Sequence, residues 1–256
     1  MHNQTKNLHN LIIRTDTRDF QMETYPRRIP IALCCDHNAP RMAAVTILSL
    51  AMGADRQCNY DIYCITTRQM SANAREQIRA QVAGTRHRIA FKTTHTRTNI
   101  YAQLAKLFPE IDKIIYCDTN MIFTDNLVAL SRILMGDAIV AGVPMPGGGG
   151  INTGLLVFNL KHIRDTGMRP AKLKTIIESA TPAGVITLPL RYNIPVYARD
   201  TRQYAARDIC DLPYRAVALN FSGPCAPWLN SDPEPNTSYI WWRVARATHL
   251  WSDARK

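Results

Sequence analysis

A chain of 256 residues with 46% hydrophobic content is large enough for one sizeable core, so composition excludes a disordered or low-complexity protein. Its 31 basic against 20 acidic residues, a formal charge of +11, fit either an arginine-rich surface or an anionic partner such as nucleotide phosphates or an acidic glycolipid layer. No block of consecutive Lys/Arg occurs, which makes nucleic acid the weakest anionic candidate. Seven scattered cysteines without a C-x-x-C pair argue for reduced, core-filling thiols over disulfides or zinc.

Residues 1–28 carry charges throughout (Lys6, Arg14, Asp16, Arg18, Asp19) and no long apolar run. They read as an irregular arm, not a secretory signal, which places the chain in the cytosol. The longest mostly apolar stretch, Ala43 to Ala54, is interrupted by Thr46 and Ser49 and is too short to cross a bilayer. From Ile29 the rhythm is strand, helix, strand. IPIALCC has strand length, AAVTILSLAMG reads as a helix ending near Gly53, and YDIYCIT is the next strand. SANAREQIRAQVAG is the clearest helix, with Ser71 as N-cap and Gly84 at its far end. HRIAFKTT alternates as a half-buried strand, and TNIYAQLAKLF is a helix that stops before Pro109. KIIYCDT then reads as a strand, NLVALSRILMG as a helix and DAIVAGV as a strand.

This alternation predicts βαβ units around a mostly parallel sheet. Ligands of such sheets sit at the carboxyl edge of the strands. Two carboxylates follow apolar runs at that edge: Asp36 after IPIALCC and Asp118 after KIIYC. A single aspartate at a strand end is most often a cap or turn former; two at one edge tilt the reading toward a site. PMPGGGG, residues 144–150, lacks the Gly-Lys-Ser/Thr ending of a phosphate loop and reads as a flexible connection into INTGLLVFNL. The absence of G-x-G-x-x-G argues against a dinucleotide-dependent dehydrogenase. MRPAKLKTIIESA is a helix, and TLPLRYNIPVY and YRAVALNFSG read as extended. In SYIWWRVARATHLWSDARK the residues Ile240, Trp241, Val244, Thr248 and Trp251 fall at helical spacing.

The segments IPIALCCDHN, LFPEIDKIIYCDTNMIFTDNL, INTGLLVFNL, LPLRYNI and NFSGPCAPW occur in the order seen in family-eight retaining glycosyltransferases, and the chain from Ile29 to Trp228 resembles that family. The resemblance implies an α/β fold of the GT-A nucleotide-sandwich type. It also implies transfer of a hexosyl unit from a nucleotide sugar, a UDP-sugar in this family, to a glycan or glycolipid acceptor with retained configuration. Mn2+ or Mg2+ would bridge the diphosphate and stabilise the leaving charge. Carried over by position, Asp36 and Asn38 match residues near the nucleoside, Asp118 the first carboxylate of Asp-x-Asp, and Asn152 a sugar-pocket asparagine. Gly223 matches a glycine where backbone approaches the diphosphate.

The departures fall at the chemistry. Asn120 stands for the second aspartate, Asn220 for a metal-binding His, Ala226 for a phosphate-binding Lys and Gln103 for an Arg; the Asp-Gln-Asp segment expected before LPLRYN is missing. A metal set of Asp118, Asn120 and Asn220 carries one charge and holds a hard cation weakly, and no nucleophile can be named. Two readings stay open: an active transferase with a weakened metal site, and an inactive relative that serves as a binding or partner subunit. The organisation that follows is an N-terminal extension over 1–28, a transferase-like domain over 29–237, and a basic, Trp-rich helix over 238–256. That last helix either lies on an anionic membrane leaflet or packs on the core.

Overall fold

The computed structural model describes residues 28–35, 40–55, 58–67, 69–94, 100–145, 149–180, 184–196, 216–223, 226–229 and 238–251. Of the arm expected over 1–28, residues 1–27 lie outside the described residues, as do Asp36 and Asn38. Strands β1 (Ile29–Cys34), β2 (Tyr60–Thr66) and β3 (Arg88–Thr93) alternate with helices α1 (Pro40–Met52) and α2 (Ala72–Ala80). Helix α3 (Ile100–Leu107) leads to β4 (Lys113–Cys117), and a tight turn joins β4 to β5 (Met121–Phe123). Next come α4 (Val128–Ser131), β6 (Val140–Pro144), β7 (Ile151–Asn159), α5 (Leu160–Asp165) and α6 (Pro170–Ser179). The rest is β8 (Val185–Thr187), a 3-10 turn at Leu190–Tyr192, β9 (Ile194–Pro195), β10 (Ala218–Asn220) and α7 (Ser238–Ala247).

The main sheet has seven strands in the order β3-β2-β1-β4-β7-β6-β8. Only β7 runs against the others, since it pairs antiparallel with both β4 and β6 while the remaining pairs are parallel. The chain winds from β1 outward to β3 and then returns to place β4 on β1's other side. That reversal opens a crevice beyond the carboxyl ends of β1 and β4. A second sheet of three strands, β5-β10-β9, lies across this end.

Alternation along the strands splits the core. Ile31, Leu33, Cys35, Cys64 and Cys117 share one cluster with Ala43, Ile47 and Leu50 of α1 and Ile78 of α2. Ala32, Ile65, Ile114, Tyr116 and Phe158 point the other way, toward Leu104 of α3 and Leu173 and Ile176 of α6. The thiols of Cys35, Cys64 and Cys117 are free and fully buried, so they act as small hydrophobes. Burial raises Cys35 and Cys117 well above the ordinary thiol range.

Two elements differ from the sequence expectation. NLVALSRILMG forms only the single turn Val128–Ser131. Leu127 and Leu130 are buried, but a continuing helix would bring Leu134 inward next; instead Leu134 is 89% exposed and Met135 turns into the core. TLPLRYNIPVY is broken by the 3-10 turn, which buries Leu190 and Tyr192 on either side of exposed Arg191. The helix over SANAREQIRA forms with Ser71 Oγ accepting from the Ala74 amide, and Gly84 follows it with φ +74°.

The C-terminal segment packs on the core. Trp241 is fully buried with Val244 and Ala245 against Val45 of α1, Ile122 of β5 and Phe221. Trp228, Trp242 and Trp251 close around it at ring-centroid distances of 5.2, 4.8 and 5.1 Å. The apolar face that could have entered a leaflet is used inside the molecule. Among the described residues no helix is long and apolar enough to cross a membrane.

Candidate functional site

The crevice rim is built first by β4. Its apolar run ends at Cys117, and the next residue, Asp118, donates its backbone N–H to Gly154 O of β7 at 2.9 Å. The turn that follows is pinned from below by α1. Thr46 Oγ1 lies 2.8 Å from Thr119 O and 2.9 Å from Met121 O, and Ser49 Oγ accepts from the Phe123 amide. Thr46 and Ser49 are the two polar interruptions of the apolar stretch of this helix that starts at Ala43. They are buried because the turn needs donors and acceptors there.

Asp118 is half-buried, and burial pushes its carboxyl up to about 6, opposed by the hydrogen bond that Tyr116 Oη donates to Oδ1 at 3.2 Å. Tyr116 stands edge-on to Tyr101 of α3 at 5.0 Å. Burial raises both phenols, Tyr101 to about 12, so both stay protonated and able to donate. Two residues on, Asn120 Oδ1 is buried without a hydrogen-bond partner.

The opposite rim is a chain of amides. Asn220 Nδ2 donates to Asn193 Oδ1 at 3.0 Å and lies 3.4 Å from Asn152 Oδ1. Each amide is oriented by a backbone group. Asn220 Oδ1 accepts from the Ser222 amide, Asn193 Nδ2 donates to Asn152 O, and Asn152 Oδ1 accepts from the Gly154 amide. A backbone N–H meets only an oxygen and a backbone carbonyl only a nitrogen donor, so none of the three side chains can be reversed without breaking a bond. Gly154 is the floor of this cluster: a Cβ there would meet Asn220 Nδ2 at 2.3 Å and Asn193 Oδ1 at 3.2 Å. The rims meet where the Phe221 amide donates to Asn120 O at 3.0 Å, beside the antiparallel pairing of β5 and β10.

Asp118, Asn120, Asn152 and Asn220 therefore share one hydrogen-bonded neighbourhood. Gly223 lies three residues beyond Asn220, exposed, with φ +111° and open space where a Cβ would go; the backbone conformation, not crowding, calls for glycine. Ala226 is buried. Arg191 lies over the Tyr192 ring at 4.9 Å, and Arg41 over Trp251 at 5.7 Å. Sequence reasoning missed Asn193, a fully buried amide between buried Tyr192 and Ile194; a lone polar residue inside an apolar run was the signal available. It also missed the phenols of Tyr101 and Tyr116.

No family model and no curated protein matches the sequence. Solved structures do match. The galactosyltransferase LgtC, in complex with donor and acceptor sugar analogs, superposes with a TM-score of 0.69 at 16% identity over 89% of this chain and 100% of its own. The bifunctional glycosyltransferase WbbM gives 0.73 at 16% identity over 90% of this chain. The glycosyltransferase GlyE of Streptococcus pneumoniae TIGR4 gives 0.70 at 17% identity over 89%. The chain spans 51% of the WbbM chain and 64% of the GlyE chain. This is the GT-A glycosyltransferase fold. Asp118 and the amides lie at the carboxyl edge of β4, the edge at which open α/β sheets take ligands.

The donor set does not suit the Mn2+ or Mg2+ that the resemblance implies. Among the described residues no group of three or more His, Cys, Asp or Glu side chains could hold a metal ion. Hard divalent cations take six or more oxygens, with carboxylates supplying the charge. Here Asp118 is the one carboxylate of its set, Asn120 brings a neutral oxygen, and Asn220 turns its nitrogen to its neighbours and its oxygen to the Ser222 amide.

Proposed function

We propose that the chain transfers a hexosyl unit from a nucleotide sugar, most naturally a UDP-sugar, to a glycan or glycolipid acceptor. The observation that carries this reading is the convergence of Asp118, Asn120, Asn152 and Asn220 at the carboxyl edge of a GT-A sheet. The LgtC structure, which has donor and acceptor sugar analogs bound and matches over its whole length, supports the same substrate classes here. Asp118 and Asn120 supply acceptors to the donor, and Asn152 with its partners shapes the sugar pocket. Asp36 and Asn38 belong on the nucleoside side by resemblance. With Asn120 and Asn220 in place of charged or imidazole ligands, any divalent cation would be held weakly.

The test is donor binding and sugar-nucleotide hydrolysis across a donor panel, with Asp118→Ala as the variant. Binding to the native state raises its stability by mass action, so the right donor lifts the melting temperature and Asp118→Ala abolishes the rise. A variant that binds donor as tightly as the parent would leave Asp118 a purely structural residue.

A cytoplasmic, membrane-peripheral location fits a glycolipid acceptor. Support comes from the outward side of α7, where Tyr239 and Ile240 are exposed beside exposed Arg243 and Arg246. Flotation with anionic vesicles should carry the chain upward, and the double change Arg243→Glu and Arg246→Glu should leave it at the bottom. Equal flotation of both would remove α7 from the contact.

A further inference from the structure

We infer that this site binds its nucleotide sugar without a divalent cation, resting on the transferase reading above. Hydrogen bonds within the chain take over the cross-linking that a metal would supply. A cation held by the residues that the resemblance marks, Asp118, Asn120 and Asn220, would link the turn after β4 to the end of β10. Here that closure exists within the polypeptide. Phe221 N donates to Asn120 O and β5 pairs with β10, which joins the two sides, while Asn220 bonds Asn193 and Asn152 within its own rim. Asn220 has no room to turn toward a cation, because Gly154 is packed against its Nδ2 and its Oδ1 is held by the Ser222 amide.

The same geometry says what takes the cation's place. Without a metal, the Asp118 carboxylate and the unpaired Asn120 Oδ1 are acceptors, and phosphate oxygens are acceptors too, so these oxygens give a diphosphate nothing to bind. A hydroxyl is a donor. Asn120 Oδ1 is buried with no donor to meet it, and Asp118 Oδ1 is occupied by Tyr116, which leaves its second oxygen for a ligand. Buried acceptors of this kind are normally paired. The Asp118–Asn120 corner is therefore a hydroxyl-recognition site for ribose or hexose, and the asparagine triad is a positioning device that keeps the opposite rim in register with it.

The experiment uses the full chain stripped with EDTA and titrated calorimetrically with UDP and UDP-galactose, in EDTA and again with excess Mn2+. Affinities that agree within about twofold under the two conditions support the inference. Tightening by Mn2+ of about tenfold or more overturns it and leaves the transferase reading standing. If neither probe binds in either condition, and no other nucleotide sugar raises the melting temperature, the transferase reading fails and the inference falls with it. Asn193→Ala tests the triad: affinity should fall about tenfold, with no recovery on adding Mn2+. An unchanged affinity, or rescue by Mn2+, would remove the role given to the amides. Should that variant fail to fold, the parent titration still decides the cation question.

Discussion

The two rims of the crevice are held by different physics. On the β1–β4 side the backbone is fixed by aliphatic side chains and thiols that interlock on both faces of the sheet, and many residues share the task. On the β7–β10 side three amides and one glycine hold the geometry, and each makes bonds that no neighbour can replace. Dispersion and burial are non-directional and redundant, while hydrogen bonds among buried amides are directional and costly to leave unmade. The apolar rim should therefore govern how stable the chain is, and the amide rim what it recognises.

Leu33→Ala would strain that division most. Leu33 is fully buried, in register with Cys64 on one side and Cys117 on the other, so the change should cost ~2–5 kcal/mol in urea unfolding. Donor affinity of the folded fraction should stay unchanged; a large loss of affinity would show that the apolar rim also sets recognition. Gly154→Ala should cost less stability, about 1–3 kcal/mol, yet remove donor binding, because its Cβ would displace Asn220. Retained binding in a folded Gly154→Ala chain would break the comparison.

Asp118 gives a smaller effect with a definite sign. Its carboxyl rises from the ordinary 3.8 to about 6 in the folded chain, so between those values the folded state binds more protons than the unfolded. The stability associated with the protonated form is present below about pH 4 and is lost as pH rises through about 6. Asp118→Asn should consequently stabilise the ligand-free protein by ~1–2 kcal/mol at pH 8, where the carboxylate is charged and half-buried, and by nearly nothing at pH 4. Denaturant midpoints at the two pH values measure it; a gain of equal size at both would show that charge is not the cause. Smallest of all, Ser71→Ala removes the N-cap of α2, remote from both rims. A loss of ~0.5–1 kcal/mol with donor binding intact is expected, and altered binding would reveal a path between α2 and the site.

Legibility in the sequence followed the same division. The apolar runs IPIALCC, YDIYCIT and KIIYC announced β1, β2 and β4, because a strand buried on both faces must be apolar throughout, and Asp118 stood out as the charge that ends one of them. The turn at Val128–Ser131 was overestimated, since apolar residues at Leu127, Leu130 and Leu134 mimic helical spacing until packing leaves Leu134 in solvent. Asn152 and Asn220 were marked by resemblance alone. Asn193 was unmarked, since its partners lie 41 and 27 residues away in the chain and no local period records them.

By itself the sequence determined the layered α/β architecture and the position of Asp118 at the carboxyl end of β4, because hydrophobic periodicity and strand-end chemistry are local properties of the chain. Only the tertiary structure decided that Asn152, Asn193 and Asn220 join across Gly154, that Asn120 keeps an unpaired oxygen, and that the tryptophans of α7 close on the core. Those outcomes depend on which distant backbone groups come within hydrogen-bonding or packing distance, and that is settled only when the sheets assemble.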